Sequence, residues 1–245
     1  MMCGVQARWV TGVCCGLLCS RPRDGARVVK VTGLSEQQST IPDGAVAGRS
    51  RGAWGWFLAT IVVSFVIDIV TKYIAFAKVA GVPVSVHREE VVAATPKLWT
   101  LIPQHVPVTV VPKVLDFTLV LNPGAVFGIG AGKRWFFVVF TGLAVAIGTY
   151  IFAKHTRAKD WVMHVALGLV LGGGLGNLYD RLIYACVRDF IHPLPGVLYP
   201  FSWPASFVGK EVWPYVSNVA DAFLIAGVVV LAWRAIKTPP PQTRR

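Results

Sequence analysis

Residues 54–76 read Trp-Gly-Trp-Phe-Leu-Ala-Thr-Ile-Val-Val-Ser-Phe-Val-Ile-Asp-Ile-Val-Thr-Lys-Tyr-Ile-Ala-Phe, an apolar run broken by one acid, Asp68, and one base, Lys72. A helix needs about 20 such residues to cross a hydrocarbon core of about 30 Å, so the stretch predicts a membrane span. Three more runs repeat the pattern: Trp135 to about Phe152, Trp161 to about Tyr179, and about Val216 to Trp233. Trp54, Trp56, Trp135, Trp161 and Trp233 fall at the ends of runs, where indole rings favour the membrane interface. Composition agrees: of 245 residues, 54% are hydrophobic and 15% charged, against about 25% charged in soluble domains, and mean hydropathy is +0.58. A disordered chain is excluded, and an ordinary soluble enzyme is a poor fit. The expected fold is mainly α, a polytopic membrane protein with four transmembrane helices and a small extracytoplasmic β-platform.

The formal net charge of +12 would suggest nucleic acid in a soluble chain, but here the basic residues sort by loop and no nucleic-acid partner is expected. Most of them lie before Trp54 (Arg8, Arg21, Arg23, Arg27, Lys30, Arg49, Arg51), between spans two and three (Lys154, Arg157, Lys159) and at the C-terminal end (Arg234, Lys237, Arg244, Arg245). The positive-inside rule therefore puts both termini in the cytoplasm. Residues 1–53 read as a poorly ordered cytoplasmic extension, 54–236 as the membrane domain and 237–245 as a cytoplasmic tail. Within the extension, Val10–Cys19 is too short to span and lacks a clean cleavage site. The outer loop 77–134 contains three β-branched runs, Val82–Val86, Val106–Val111 and Leu115–Leu121, which read as the strands of the platform. The outer loop 180–215 is rich in proline and aromatic residues from Ile191 to Tyr215 and reads as an interfacial anchor or a lid. Cys3, Cys14, Cys15 and Cys19 crowd the extension and only Cys186 lies in the body, which is no disulfide framework.

Ionisable groups within a membrane are costly and usually functional. With this orientation Asp68, Lys72, Asn122, Asn177, Asp180, Arg181, Asp189, Asn218 and Asp221 all fall toward the outer leaflet. Asp68 and Lys72 share a helix face, as do Asn218 and Asp221. Most have a structural alternative: a packing ion pair for Asp68 with Lys72, an interfacial salt bridge for Asp180 with Arg181, a turn for Asn122 before Pro123-Gly124, and a helix cap for Asn218 and Asp221; Asp189 has no obvious structural job. Gly172, Gly173, Gly174 and Gly176 read as helix packing, because small residues let backbones approach. None of the five His is paired at ligand spacing, so no metal is expected. Neither a Gly-x-Ser-x-Gly element nor a phosphate loop is present, and Cys186 lacks a His partner. Carboxylates remain. Two of them sharing a poorly hydrated site cannot both ionise cheaply, the arrangement an aspartic protease uses, and Asp189 with Asp221 is the best pair on spacing and depth. The alternative is a small proton-coupled transporter relaying through Asp68, Asp180 and Asp221. Such a relay should carry acids through the inner half of spans two to four, and none falls there.

Five stretches occur in a telling order: Asp68-Ile69-Val70-Thr71-Lys72, Leu121-Asn122-Pro123-Gly124-Ala125-Val126-Phe127-Gly128, Gly173-Gly174-Leu175-Gly176-Asn177-Leu178-Tyr179-Asp180-Arg181, Val187-Arg188-Asp189-Phe190 and Ser217-Asn218-Val219-Ala220-Asp221. With them the chain resembles lipoprotein signal peptidase (signal peptidase II), the aspartic peptidase family of the bacterial inner membrane. The resemblance implies removal of the signal peptide from prolipoproteins whose Cys carries a diacylglyceryl group, with the cut on the N-terminal side of that Cys. It implies Asp189 and Asp221 as the catalytic pair, with Asp68, Lys72, Asn122, Gly124, Asn177, Asp180, Arg181, Asn218 and Ala220 shaping or supporting the site. No metal or organic cofactor is implied. Membrane lipids are the surroundings of the reaction, and no oligomer is required. Two residues depart from the family's pattern. Ser217 stands where Phe is usual, and Arg188 stands where an apolar residue precedes the catalytic Asp. A guanidinium beside that Asp would favour its ionised form.

Overall fold

A computed structural model describes residues 44–95, 97–124, 134–199 and 209–237. The apolar runs become α1 (Arg51–Lys78), α3 (Arg134–His155), α4 (Trp161–Ile183) and α5 (Val219–Lys237), with a short α2 (Arg88–Ala94) after α1. All four long helices are long and apolar enough to cross a membrane. Ser50 starts α1 by accepting the Ala53 N–H, and Asp160 starts α4 by accepting that of Met163; both side chains satisfy a donor the helix end leaves free. Packing begins ahead of Trp54. Ala47 is buried and donates its N–H to Thr156 O at 2.9 Å, and the Trp54 indole donates to Gly48 O at 3.1 Å. Trp54, Phe57 and Phe152 stack at the same end of the bundle, where Arg234 of α5 pairs with Asp160. The start of α1, the α3–α4 loop and the end of α5 therefore lie together, with their basic residues.

Helix α4 lies between α1 and α5, and its glycines are the reason it can. A Cβ on Gly172 would sit 2.8 Å from Ile61 O, and one on Gly173 would sit 2.6 Å from Ala220 O. Only hydrogen fits at either place, so the backbones touch on both sides, as membrane helices do in the absence of a hydrophobic drive between them.

At the opposite end lies a three-stranded antiparallel sheet of order β1 (Val108–Val111), β2 (Leu115–Asn122), β3 (Val187–Pro193). Two of the three expected strands are present. The third expectation, Val82–Val86, is corrected: that run is extended but joins no ladder. Its place is taken by β3, which comes from the loop after α4. Ala75 and Phe76 of α1, Val91 of α2, Leu119 and Leu121 of β2 and Phe190 of β3 form the core that seats the sheet on the bundle. The register pairs Val120 with Asp189 and Asn122 with Val187. Beyond β3 the chain folds back on itself through a Leu198–Glu211 bridge and a Val212 N–H to Val197 O bond of 2.7 Å. It then returns to the sheet, where Ser217 O accepts from Phe190 and Ile191 at 2.9 and 2.8 Å. That return places the first turn of α5 beside Asp189. The expectations for residues 1–43, for Ala125–Gly128, for the tip of the proposed lid at 200–208 and for the tail at 238–245 lie outside the described residues.

Candidate active site

The strand period of two sends alternate side chains to opposite faces. Val187 and Asp189 line a cavity of about 890 Å³, and Asp221 lines the same cavity from α5. Most of the remaining wall is apolar and includes Phe136, Phe137 and Phe140 of α3, Val170 of α4 and Leu224 of α5. The two carboxylates expected as a pair thus face one space.

Three amides hold them. Asn122, at the end of β2, donates to Asp189 Oδ2 at 3.1 Å, and its own Oδ1 accepts the Gly124 N–H at 3.0 Å. Asn218 donates to Asp189 Oδ1 at 2.6 Å and to Asn177 Oδ1 at 3.1 Å. Asn177 donates to Asp221 Oδ1 at 2.9 Å. Asn218 also caps α5: its Oδ1 accepts the Asp221 N–H at 3.1 Å while the Asp221 carboxylate accepts the Asn218 N–H at 3.3 Å. This reciprocal box realises the capping alternative and fixes the Asp221 carboxylate in the same stroke. Asn122 likewise serves the turn and the site together.

Behind the amides lies a buried charge cluster. The Lys72 ammonium reaches Asp68 Oδ2 at 2.7 Å, Asn177 Oδ1 at 3.0 Å and Asp180 Oδ2 at 3.3 Å. Asp68, Lys72 and Asp180 have no exposed surface. Asp68 Oδ1 accepts the Ala220 N–H at 2.9 Å, so an acid of α1 secures the first turn of α5 by its favoured partner, a helix N-terminus. This gives Ala220 its part: a buried backbone donor whose carbonyl lies against Gly173. Arg181 donates to Asn177 O at 3.2 Å and to Gly124 O at 2.8 Å, and its guanidinium lies 4.9 Å from the Phe137 ring centroid. All eleven residues singled out from the sequence therefore fall in one connected assembly.

Two pairings differ from expectation. Asp180 does not bridge to Arg181; its partners are Lys72 and Arg188. Adjacent helical residues point about 100° apart, so adjacency in sequence was a poor guide. Arg188 does not lean on Asp189; strand alternation turns it the other way, where it meets Asp180 at 2.8 Å. Phe137 escaped the sequence reading, since an aromatic residue in an apolar span carries no distinguishing signal.

Burial, and next the charge of Asp221, push the Asp189 carboxyl up to about 7, against the opposing pull of the Asn218 and Asn122 amides and the Lys72 cation. Among the described residues no group of three His, Cys, Asp or Glu is disposed to hold a metal ion.

The sequence profile of signal peptidase (SPase) II matches residues 60–237. The chain belongs to the signal peptidase II family. It is 36% identical over 124 residues to the lipoprotein signal peptidase of Desulfitobacterium hafniense (strain DSM 10664 / DCB-2), a match covering 51% of this chain and 70% of that one. It is 39% identical over 129 residues to that of Methylorubrum extorquens (strain PA1), covering 51% and 66%. A solved structure of a bacterial membrane enzyme superposes with a TM-score of 0.55 at 25% identity, covering 78% of this chain and 93% of that one. This signal peptidase II is thus an aspartic peptidase of a bacterial membrane, and it removes signal peptides from prolipoproteins.

Proposed function

We propose that Asp189 and Asp221 are the catalytic dyad, and that they cut prolipoproteins on the N-terminal side of a diacylglyceryl-modified Cys. The observation that carries this reading is the pair of carboxylates facing one apolar cavity, each held by amide donors, with Asp189 pushed up to about 7. Near neutral pH the pair then holds one proton. Asp221, fixed by Asn177 and the Asn218 N–H, takes a proton from a water between the two acids. The oxygen of that water bonds to the scissile carbonyl carbon, while Asp189 gives its proton to the carbonyl oxygen. Collapse of the tetrahedral species re-forms the carbonyl and breaks the C–N bond. The proton held by Asp221 goes to the departing amine of the lipidated Cys, and the proton on the intermediate returns to Asp189.

The apolar wall suits the signal peptide and the acyl chains, and the lipid on the Cys keeps the scissile bond at the depth of the dyad. The basic end of the bundle is the opposite one, so the reading puts the dyad at the outer leaflet of the inner membrane, with both ends of the chain in the cytoplasm. The segment Ile191–Tyr215 is the candidate lid.

The test is processing of a purified diacylglyceryl prolipoprotein by wild type, Asp189→Asn and Asp221→Asn. Both variants should lose cleavage while keeping their fold. Cleavage retained in both would remove the dyad assignment.

A further inference from the structure

Arg188 immediately precedes Asp189 in the chain, and it is built in rather than tolerated. It is 5% exposed. Its guanidinium donates to Asp180 Oδ1 at 2.8 Å through Nη2 and at 3.3 Å through Nε, and its backbone N–H donates to Asp180 Oδ2 at 3.0 Å. The same guanidinium lies 4.2 Å from the Tyr184 ring centroid and 5.9 Å from that of Phe76. A buried cation with a carboxylate at its edge and an aromatic face above it is a site that suits Arg and not Lys.

The charge balance shows what Arg188 does. The cluster behind the dyad contains two anions, Asp68 and Asp180, and one cation of α1, Lys72. With Arg188 the four charges cancel; without it a buried negative charge is left over. The Lys72 ammonium has three donors and three partners, Asp68, Asp180 and Asn177. An ammonium offers only donors, so its bond to Asn177 Oδ1 obliges that amide to turn its NH₂ toward Asp221. An Asp180 with no guanidinium to serve it would draw Lys72 away from Asn177, and the amide would be left with Asn218 as the one remaining donor to its Oδ1.

We propose that Arg188 is a positioning residue for the dyad: it neutralises Asp180 and so keeps Lys72 on Asn177, whose amide then faces Asp221 with its donor end. This rests on the dyad reading above. The charged and titratable groups around Asp189 are Asp68 and Lys72 from α1, Asp180 and Arg181 from α4, Asp221 from α5, and Arg188 with the Cys186 thiol from its own segment. β2 contributes the uncharged Asn122. Removing the Arg188 charge adds one net negative charge to this set, and a like charge disfavours ionisation of both acids.

The experiment is the pH–rate profile of prolipoprotein cleavage for wild type, Arg188→Met and Arg188→Lys, with the double variant Arg188→Met/Asp180→Asn. Arg188→Met should lift both limbs of the profile by about one pH unit and lower kcat about tenfold with KM unchanged, since Asn177 acts on Asp221 and not on substrate. Arg188→Lys keeps the charge but not the forked, stacked contact, so it should leave the limbs in place even where it lowers stability. The double variant restores neutrality and should bring the limbs back. If Arg188→Met yields no folded enzyme, Arg188→Gln removes the charge while keeping a donor and should move the limbs alike. Limbs that stay put in the charge-removing variant, or a loss carried by KM alone, overturn the proposal. Failure of the dyad reading would show separately, as cleavage surviving Asp189→Asn and Asp221→Asn.

Discussion

Gly176 and Gly174 lie two residues apart on α4, and alanine at the two positions should have opposite effects. At Gly174 a Cβ meets Thr141 Cγ2 at 3.6 Å, an ordinary contact. Alanine there gains about 1 kcal/mol of helix propensity and loses nothing, so the variant should be as stable as wild type or slightly more so. At Gly176 a Cβ lands 3.0 Å from Asp68 Cγ and nearer still to Asp68 Oδ2, the oxygen that receives the Lys72 ammonium. The helices cannot simply part, because Gly172 already brings α4 against Ile61 O and the Ser64 side chain. Overpacking of this kind costs about 1–3 kcal/mol, and a displaced carboxylate weakens a charge-assisted hydrogen bond of about 1.5–3 kcal/mol. Net of the propensity gain, Gly176→Ala should cost about 2–4 kcal/mol, or on the order of 5–15 °C in Tm for a chain of this size. The Ala220 N–H loses its acceptor as Asp68 moves, so cleavage by the surviving folded enzyme should also fall at least about tenfold, as each 1.4 kcal/mol lost from the transition state implies. Thermal unfolding in detergent, followed by tryptophan fluorescence, and prolipoprotein processing at 25 °C read the two effects. A Gly176→Ala protein that unfolds no lower than Gly174→Ala would refute the claim that the α4 backbone at Gly176 is packed against the Asp68 side chain.

Two further outcomes are expected. With Asp189 as proton donor and its carboxyl at about 7, cleavage should decline as pH rises through that value. Asn122→Ala removes a donor that favours the ionised form, so the proton is kept to higher pH; a bond of about 1.5 kcal/mol corresponds to about one pH unit. The alkaline limb of kcat/KM should move up accordingly, and a downward shift would contradict the direction of the bond. Burial, with the charge of Asp180 next, pushes the Cys186 thiol up to about 12. The thiolate is the reactive form. In a protein whose Cys3, Cys14, Cys15 and Cys19 are replaced by serine, Cys186 should resist a maleimide at neutral pH until the fold is disrupted, as mass spectrometry would report; rapid labelling of the folded enzyme would place the thiol at an accessible surface.

The four spans were legible because an apolar run of that length has few other uses, and only their ends shifted: most lengthened by up to a turn, while α5 begins at Val219, after its Asn218 cap, and not at Val216. The site was legible because polar residues stand out against such a background: Asp68, Asn177, Asn218 and Asp221 could be placed by depth alone. What escaped was of another kind. Strand β3 reads Val-Arg-Asp-Phe-Ile-His-Pro, with a charge on each face. Both charges are buried against partners from distant segments, so no alternation marks it as a strand. Val82–Val86 has strand chemistry, but its Val84 N–H goes to Phe76 O of α1 and it pairs with no strand among the described residues; β propensity reports fit to neighbours more than intrinsic preference. The Arg188–Asp180 pair crosses the end of α4 into the sheet, a contact visible only once β3 exists.

The bond from Asp68 to the Ala220 N–H carries a consequence for biosynthesis. Asp68 is made early and Ala220 late, and the hydrogen-bond acceptors of the first helix, like the amide of Asn177, wait for the donors and carboxylate that α5 delivers. On the proposed dyad, the nascent peptidase is incapable of cleavage until α5 has entered the bilayer, and hydrolytic competence arrives in a single step with that helix.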